Sequence, residues 1–197
     1  MTNRTPQLVV MVKEPHPGRV KTRLGKGIGM TRAAWWFRHQ STALLRRIQD
    51  PRWETVLAVS PDHEGMNSRV WPRGIARMAQ GPGDLGARMG RILRARPPGP
   101  VLIIGADIPG VSSRHIADGF AALGTHQAVF GPATDGGYWL IGLKRATIPP
   151  ISLFNGVRWS SEHALADTLA SIPGLTYSLI DELDDVDTQE DLARLSQ

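Results

Sequence analysis

Apolar residues in this chain come in short bursts, separated by longer stretches with helical spacing. Gln7–Val12 is a compact apolar run that ends in Lys-Glu-Pro, the pattern of a buried strand followed by a loop. Val101–Gly105 is the clearest buried strand, set off by the hard stop Pro97-Pro98-Gly99-Pro100. Trp53–Val59, Ala128–Phe130, Tyr138–Leu143 and Leu175–Ile180 are further strand-sized segments, the middle two flanking a Thr-Asp-Gly-Gly turn. Helices are expected between them. Thr31 is placed to cap one running to about Asp50, where Pro51 ends it, and Asp84 to cap one through Arg96. Ser112 or Ser113 starts a helix to about Leu123, and Ser160–Ser171 and Thr188–Ser196 read as two more. Pro15, Pro17 and Gly18 keep the segment after the first strand from being helical.

Strands alternating with helices predict βαβ units, hence an α/β fold: a three-layer α/β/α sandwich around a mostly parallel mixed sheet. No internal repeat or low-complexity linker divides the 197 residues, so a single domain spanning 1–197 is expected. Hydrophobic content of 41% and charged content of 21% are ordinary for a globular protein. No apolar stretch approaches the ~20 residues that a membrane helix needs. Met1–Gln7 is polar with no signal-peptide core behind it, so no membrane association and a cytoplasmic location are expected. The absence of cysteine excludes disulfides, zinc–thiolate sites and cysteine nucleophiles. The six histidines show neither HxxxH nor HExxH spacing.

The net charge of +5 favours anionic partners, but its distribution says more. Lys and Arg dominate Lys13–Arg47, and acidic residues collect in Asp181–Asp191. The two groups read as opposite walls of one site or as separate solvated faces. In open α/β sheets ligands bind beyond the carboxyl ends of the strands, so the loops after Val12, Ile104 and Phe130 are the places to look for chemistry.

The first of these loops packs Lys13, Arg19, Lys21 and Arg23 into eleven residues with two prolines and Gly18, a combination suited to phosphate. It is neither a Walker A loop nor a GxGxxG turn, because the glycine spacing fits neither. Read as bare residues, it is an anion site or a basic surface loop. Asp107 follows the central strand, with Pro109 restricting the chain behind it. It reads as a ligand for a hard cation such as Mg²⁺, or as a helix cap. Asp135-Gly136-Gly137 reads as a tight turn, or as a close backbone approach to a ligand. Asp185 and Asp187 have the period-2 spacing that puts both side chains on one side of an extended segment. Asp187 reads equally as an N-cap, with Glu190 completing a capping box.

Six stretches together carry a resemblance. They are Lys13–Leu24, Gln80–Met89, Gly105–Gly110, Gly131–Gly142, Phe154–Ser160 and Asp185–Leu192. In this order they resemble a bacterial glycosyltransferase-like family of the nucleotide-diphospho-sugar transferase superfamily, related to molybdenum-cofactor and 2-phospholactate guanylyltransferases. The resemblance implies the Rossmann-like GT-A fold, with nucleotide held by the loop after the first strand. Carried over, Lys13, Gly18, Lys21 and Arg23 would contact phosphates, and Asp84, Gly86 and Arg88 would lie by the nucleoside. Asp107 would be the metal ligand, joined by Asp185 and Asp187. Asp135, Gly136 and Gly137 would line the acceptor side, while Trp159 would cover a ligand or, as a core tryptophan, pack inside. Ala106 and Ile108 stand where the family more often has Thr and Cys, and family members often run longer, which bears on the acceptor.

The activity this implies is a Mg²⁺- or Mn²⁺-dependent transferase. It moves a nucleotidyl group from an NTP to a small phosphate- or carboxylate-bearing acceptor, with Lys21, Arg23 and Asp107 as the catalytic residues. The alternatives are sugar transfer from a nucleotide-diphosphosugar and a non-catalytic nucleotide-binding module. The expected partners are a nucleotide and a small-molecule acceptor. Nucleic acid is not expected, because Trp35, Trp36 and Phe37 point to different faces of one helix. The base, the acceptor and the oligomeric state, a homodimer included, are left open by the sequence.

Overall fold

The computed structural model describes residues 5–145 and 148–195. In chain order the elements are β1 (Gln7–Lys13), α1 (Thr22–Ile28), α2 (Met30–Arg47), β2 (Glu54–Ser60), α3 (Asp62–Asn67), β3 (Ala76–Ala79) and α4 (Leu85–Ala95). They continue with β4 (Val101–Gly105), α5 (Ser113–Thr125), β5 (Ala128–Pro132), β6 (Tyr138–Leu143), α6 (Ala164–Ala170), β7 (Tyr177–Leu179) and α7 (Gln189–Arg194).

Side-chain alternation along the strands divides the core into two layers. Leu8, Val10 and Val12 of β1 join Leu57, Leu102, Ile104 and Leu140 on one face, under the Phe37, Leu44 and Leu45 side of α2 and Ile116 of α5. Val9, Ala58, Ile103, Phe130 and Ile141 face the other way, against Met89, Ile92 and Leu93 of α4 and Leu165 and Leu169 of α6. The result is a three-layer α/β/α sandwich. The seven strands run in the order β3-β2-β1-β4-β6-β5-β7. All pairings are parallel except those of β6, which is antiparallel to both β4 and β5.

Several elements depart from the sequence expectation. The segment after the first strand is non-helical through Lys21, as expected, but a helix that the pattern did not mark follows from Thr22. The short α1 contains Gly25 and Gly27 and is held by burial of Leu24 against Ala33 and Val186, so tertiary packing overrides weak propensity. The long helix starts at Met30 rather than after a Thr31 cap. Its N-cap is Gly29, at φ +93°, a conformation that breaks α1 from α2 and that glycine adopts at little cost. α3 and the edge strand β3 lie in a stretch with no continuous apolar run, which is why the pattern did not mark them. The helix expected over Ser160–Ser171 is confined to Ala164–Ala170, and the expected C-terminal limit at Ser196 lies outside the described residues.

The Asp135 turn is built against the rest of the fold. Gly136 has φ +81°, and a Cβ there would lie 2.2 Å from the backbone oxygen of Glu162; its own carbonyl accepts from the N–H of Leu165. Gly136→Ala is therefore expected to cost about 1–3 kcal/mol and to lower the thermal midpoint by several degrees. An unchanged midpoint in thermal denaturation would show that this turn does not pack as described.

Candidate functional site: an ammonium among three carboxylates

The chain leaves β1 through a turn in which Gly18 adopts φ +78° and the N–H of Arg19 donates to the carbonyl of His16. The loop then delivers Lys21 to the N-cap of α1, in a left-handed conformation (φ 46°, ψ 48°) uncommon for a residue with a side chain. From there the ammonium reaches inward. Its Nζ lies 2.6 Å from an oxygen of Asp107, 2.6 Å from one of Asp187 and 3.3 Å from one of Asp185. The Lys21 side chain is only 6% exposed, whereas the three carboxylates are 29–39% exposed.

Each carboxylate is aimed by its neighbours. Asp107 lies two residues beyond the central strand β4, between buried Ala106 and Ile108. Alternation along the extended Asp185–Asp187 segment sends Val186 into a small core with Leu24 and Ala33, which leaves the two aspartates to face Lys21. The N-cap of α7 is Thr188, whose hydroxyl accepts from Asp191 N–H, while Asp191 accepts from the N–H groups of Thr188 and Asp187. The capping box expected from Asp187 and Glu190 is thus made one residue later, and the Asp187 side chain is free to meet Lys21 and Arg23.

Burial and neighbouring charge oppose one another here. Burial alone would lower the Lys21 pKa, but Asp107, Asp185 and their hydrogen-bonding neighbour Asp187 outweigh it and hold it above the ordinary lysine value. Burial raises Asp185 to about 6; Lys21 pulls the other way, and the charges of Asp187 and Asp107 add to the rise. Burial opposes ionisation of Asp187 as well, yet the Lys21 hydrogen bond and the charges of Lys21 and Arg23 hold it below the usual carboxylate range.

Asp107, Asp185 and Asp187 each present one oxygen, and these oxygens lie within 4.8 Å of one another. An all-oxygen set of this size suits a hard divalent cation such as Mg²⁺ or Mn²⁺, whose remaining positions water and phosphate can fill. The residues present fit the ion.

Beside the cluster opens a cavity of about 670 Å³. Lys13, Lys21, Arg23, Asp84, Arg88, Asp107 and Asp187 all line it, so the basic first loop, the start of α4 and the end of β4 share one hollow. The Asp84 carboxylate caps α4 by accepting from Ala87 N–H, and Arg88 donates to the carbonyl of Gly83. Gly18, Gly86, Asp135, Gly136, Gly137 and Asp185 do not line the cavity. A Cβ on Gly86 would strike Trp159 at 2.7 Å and Phe154 at 2.8 Å, so this glycine admits the Trp159 ring against the helix. Trp159 accordingly belongs to the second core layer. Asp135 closes its own turn by accepting from Gly137 N–H.

The structure also adds residues that the sequence reading did not single out. Gln80 is 3% exposed and donates to the carbonyls of Val12 and Ala58, which ties the Gln80–Asp84 loop to the ends of β1 and β2. It stands at the head of a segment with positive-φ glycines at 81 and 83, the one sequence signal that marks it. Ser160, with φ +57°, Thr22 and Tyr138 join the polar lining, beside Arg19 of the basic loop already noted.

Among known proteins, the model of a family described as "Uncharacterized protein conserved in bacteria (DUF2064)" matches residues 43–161. No curated protein matches the sequence. Among solved structures, a protein provisionally named a nucleotide-diphospho-sugar transferase, from Desulfovibrio desulfuricans G20, is 27% identical with a TM-score of 0.83. The match covers 97% of this chain and 86% of that one. Rv0371c of Mycobacterium tuberculosis H37Rv, in complex with manganese, is 14% identical with a TM-score of 0.57 over 98% of both chains. The inositol-1-phosphate CTP transferase of T. maritima is 10% identical with a TM-score of 0.58, over 95% of this chain and 91% of that one. The fold is thus that of the nucleotide-diphospho-sugar transferases. Among the described residues no helix is long and apolar enough to cross a membrane.

The ionic junction has a measurable signature. Removing the ammonium by Lys21→Met leaves three facing carboxylates, and the expected loss at pH 7 is about 1–3 kcal/mol, less than for a fully buried pair because the carboxylates keep some solvent. Without Lys21 to offset burial, the native pKa values of Asp185 and Asp187 then rise above the unfolded ones, so the folded variant binds more protons and gains stability as pH falls. Thermal denaturation should show the deficit against the unaltered protein largest at neutral pH and shrinking toward pH 4. A deficit that is constant with pH would contradict this.

Proposed function

The chain belongs to the bacterial family DUF2064, and on that premise we propose that it is a metal-dependent nucleotidyltransferase. It moves an NMP group from an NTP to a small acceptor bearing a phosphate or carboxylate. The observation that carries this reading is the convergence of Lys21 with Asp107, Asp185 and Asp187 at the edge of a nucleotide-sized cavity whose entrance loop is cationic.

Asp107, Asp185 and Asp187 would hold Mg²⁺ or Mn²⁺, which when bound supplies Lewis-acid polarisation of phosphate oxygens. The chain's own residues do the rest. Lys21 and Arg23 offset charge developing on the α-phosphate and the departing pyrophosphate, and Lys13 adds to the positive potential over the phosphates. Asp84, at the end of the loop that Gln80 anchors to the sheet, and Arg88, in the first turn of α4, would stand by the nucleoside. Ser160 and Tyr138 line the remaining wall, where an acceptor fits. No protein nucleophile is required, because positioning and electrostatics suffice for this transfer. The nucleotide and a small acceptor are the partners.

A second reading, sugar transfer from a nucleotide-diphosphosugar, draws on the name carried by the 27%-identical neighbour. The same cationic loop would then hold a diphosphate leaving group. Release of pyrophosphate from an NTP supports the first reading, and release of an NDP from a sugar nucleotide supports the second. Nucleotide binding without turnover on any acceptor would leave a binding module.

Asp107→Asn is expected to lower Mg²⁺-dependent turnover by at least about 10²-fold while far-UV circular dichroism stays unchanged. Coupled pyrophosphate detection checks it, and undiminished turnover by the variant would reject the site.

A further inference from the structure

The three carboxylates that fit a divalent ion are already engaged by a cation. Lys21 Nζ contacts one oxygen on each of them, at 2.6, 2.6 and 3.3 Å. An ammonium at those distances and a hard metal ion draw on the same oxygen lone pairs and the same space. Lys21 is held there by more than chance: its side chain is 6% exposed, and its backbone adopts φ 46°, a region that residues with side chains enter only at a cost. The same residue lines the cavity beside Arg23, so rotation about its flexible stem turns the ammonium toward a bound phosphate chain.

The local charge count makes the exchange directional. Two cations, Lys21 and Arg23, face three carboxylates, which leaves one negative charge uncompensated. A bare triphosphate meets a negative floor, and a bare metal ion meets a lysine already seated. A metal–triphosphate complex resolves both conflicts, because the metal neutralises the carboxylates and the phosphates receive the displaced ammonium. We propose that Lys21 is a resident counter-cation that keeps the metal-ligating carboxylates together in the nucleotide-free protein and gives up its place only to metal arriving with a nucleotide, turning then onto the phosphates. This rests on the nucleotidyltransferase reading. It implies weak binding of metal alone and strong coupling between metal and nucleotide.

The test titrates Mn²⁺ alone into nucleotide-free protein and follows free Mn²⁺ by electron paramagnetic resonance. Lys21→Met should bind Mn²⁺ at least about tenfold more tightly than the unaltered protein, and Lys21→Arg, which keeps the charge, should stay close to it. Equal or weaker binding by Lys21→Met overturns the proposal. Should that variant fail to fold, the unaltered protein labelled with ¹⁵N-lysine decides. Mg²⁺ alone should leave the Lys21 Nζ resonance in place, and Mg²⁺ with whichever of ATP, CTP, GTP or UTP binds should shift it. Displacement by Mg²⁺ alone, or a fixed resonance under nucleotide saturation, overturns it. Failure of the functional reading looks different: no Mg²⁺–nucleotide raises the thermal midpoint, whereas the Mn²⁺ affinities still report on the lysine.

Discussion

One ammonium ties together three distant parts of this chain. Lys21 comes from the loop after the first strand, Asp107 from the end of the central strand, and Asp185 and Asp187 from the segment before the last helix. Taking one cation and three carboxylates partly out of water is costly unless all of them meet, so the loop, the sheet edge and the C-terminal segment are bound to a single arrangement. Val186 makes that arrangement specific: its burial with Leu24 sets which way its two acidic neighbours face and docks α7 beside α1. Apolar packing and ion pairing thus select the same register.

The sheet explains why the junction borders a cavity. β1 and β4 are parallel neighbours whose carboxyl ends open on the same side, and antiparallel β6 lies beyond β4 in the sheet. The loops after β1 and β4 consequently diverge over a shared hollow, the usual ligand position in an open α/β sheet. Gln80, fixed to carbonyls at the ends of β1 and β2, brings the Gln80–Asp84 loop up to the same opening. Four separate segments that border the hollow are therefore fixed to the ends of strands and to a helix cap.

Much of this was legible in the sequence, for identifiable reasons. The apolar runs at Gln7–Val12 and Val101–Gly105 are buried on both faces and so announce themselves without periodicity. The Asp84 cap was readable because capping is local chemistry, satisfied within three residues. α1 was not, since two glycines in seven residues argue against a helix that only Leu24 and its distant partners sustain. β3 is a four-residue edge strand of mixed polarity, and nothing local distinguishes it from loop. The same contrast holds in the site. Spacing put Asp185 and Asp187 on one side of the chain but left open whether Asp187 was a cap, a question that Asp191 decides by bonding to Thr188. The direct engagement of Lys21 with Asp185 and Asp187 could not be read across a sequence separation of more than 160 residues, nor its contact with the distant Asp107. Gly86 and Gly136 look alike in a motif, but the first admits a tryptophan ring and the second a backbone carbonyl.

In the proposed reaction the basic first loop and the acidic cluster act on one phosphate chain. A crystal structure with Mn²⁺ and a non-hydrolysable nucleoside triphosphate analogue tests it most directly, because manganese can be located by its anomalous scattering. The expected result is an anomalous peak within about 2–2.6 Å of oxygens from Asp107 and from Asp185 or Asp187, with the phosphates between that ion and Lys21 and Arg23. Manganese bound away from Asp107, or phosphates seated apart from the first loop, would contradict it.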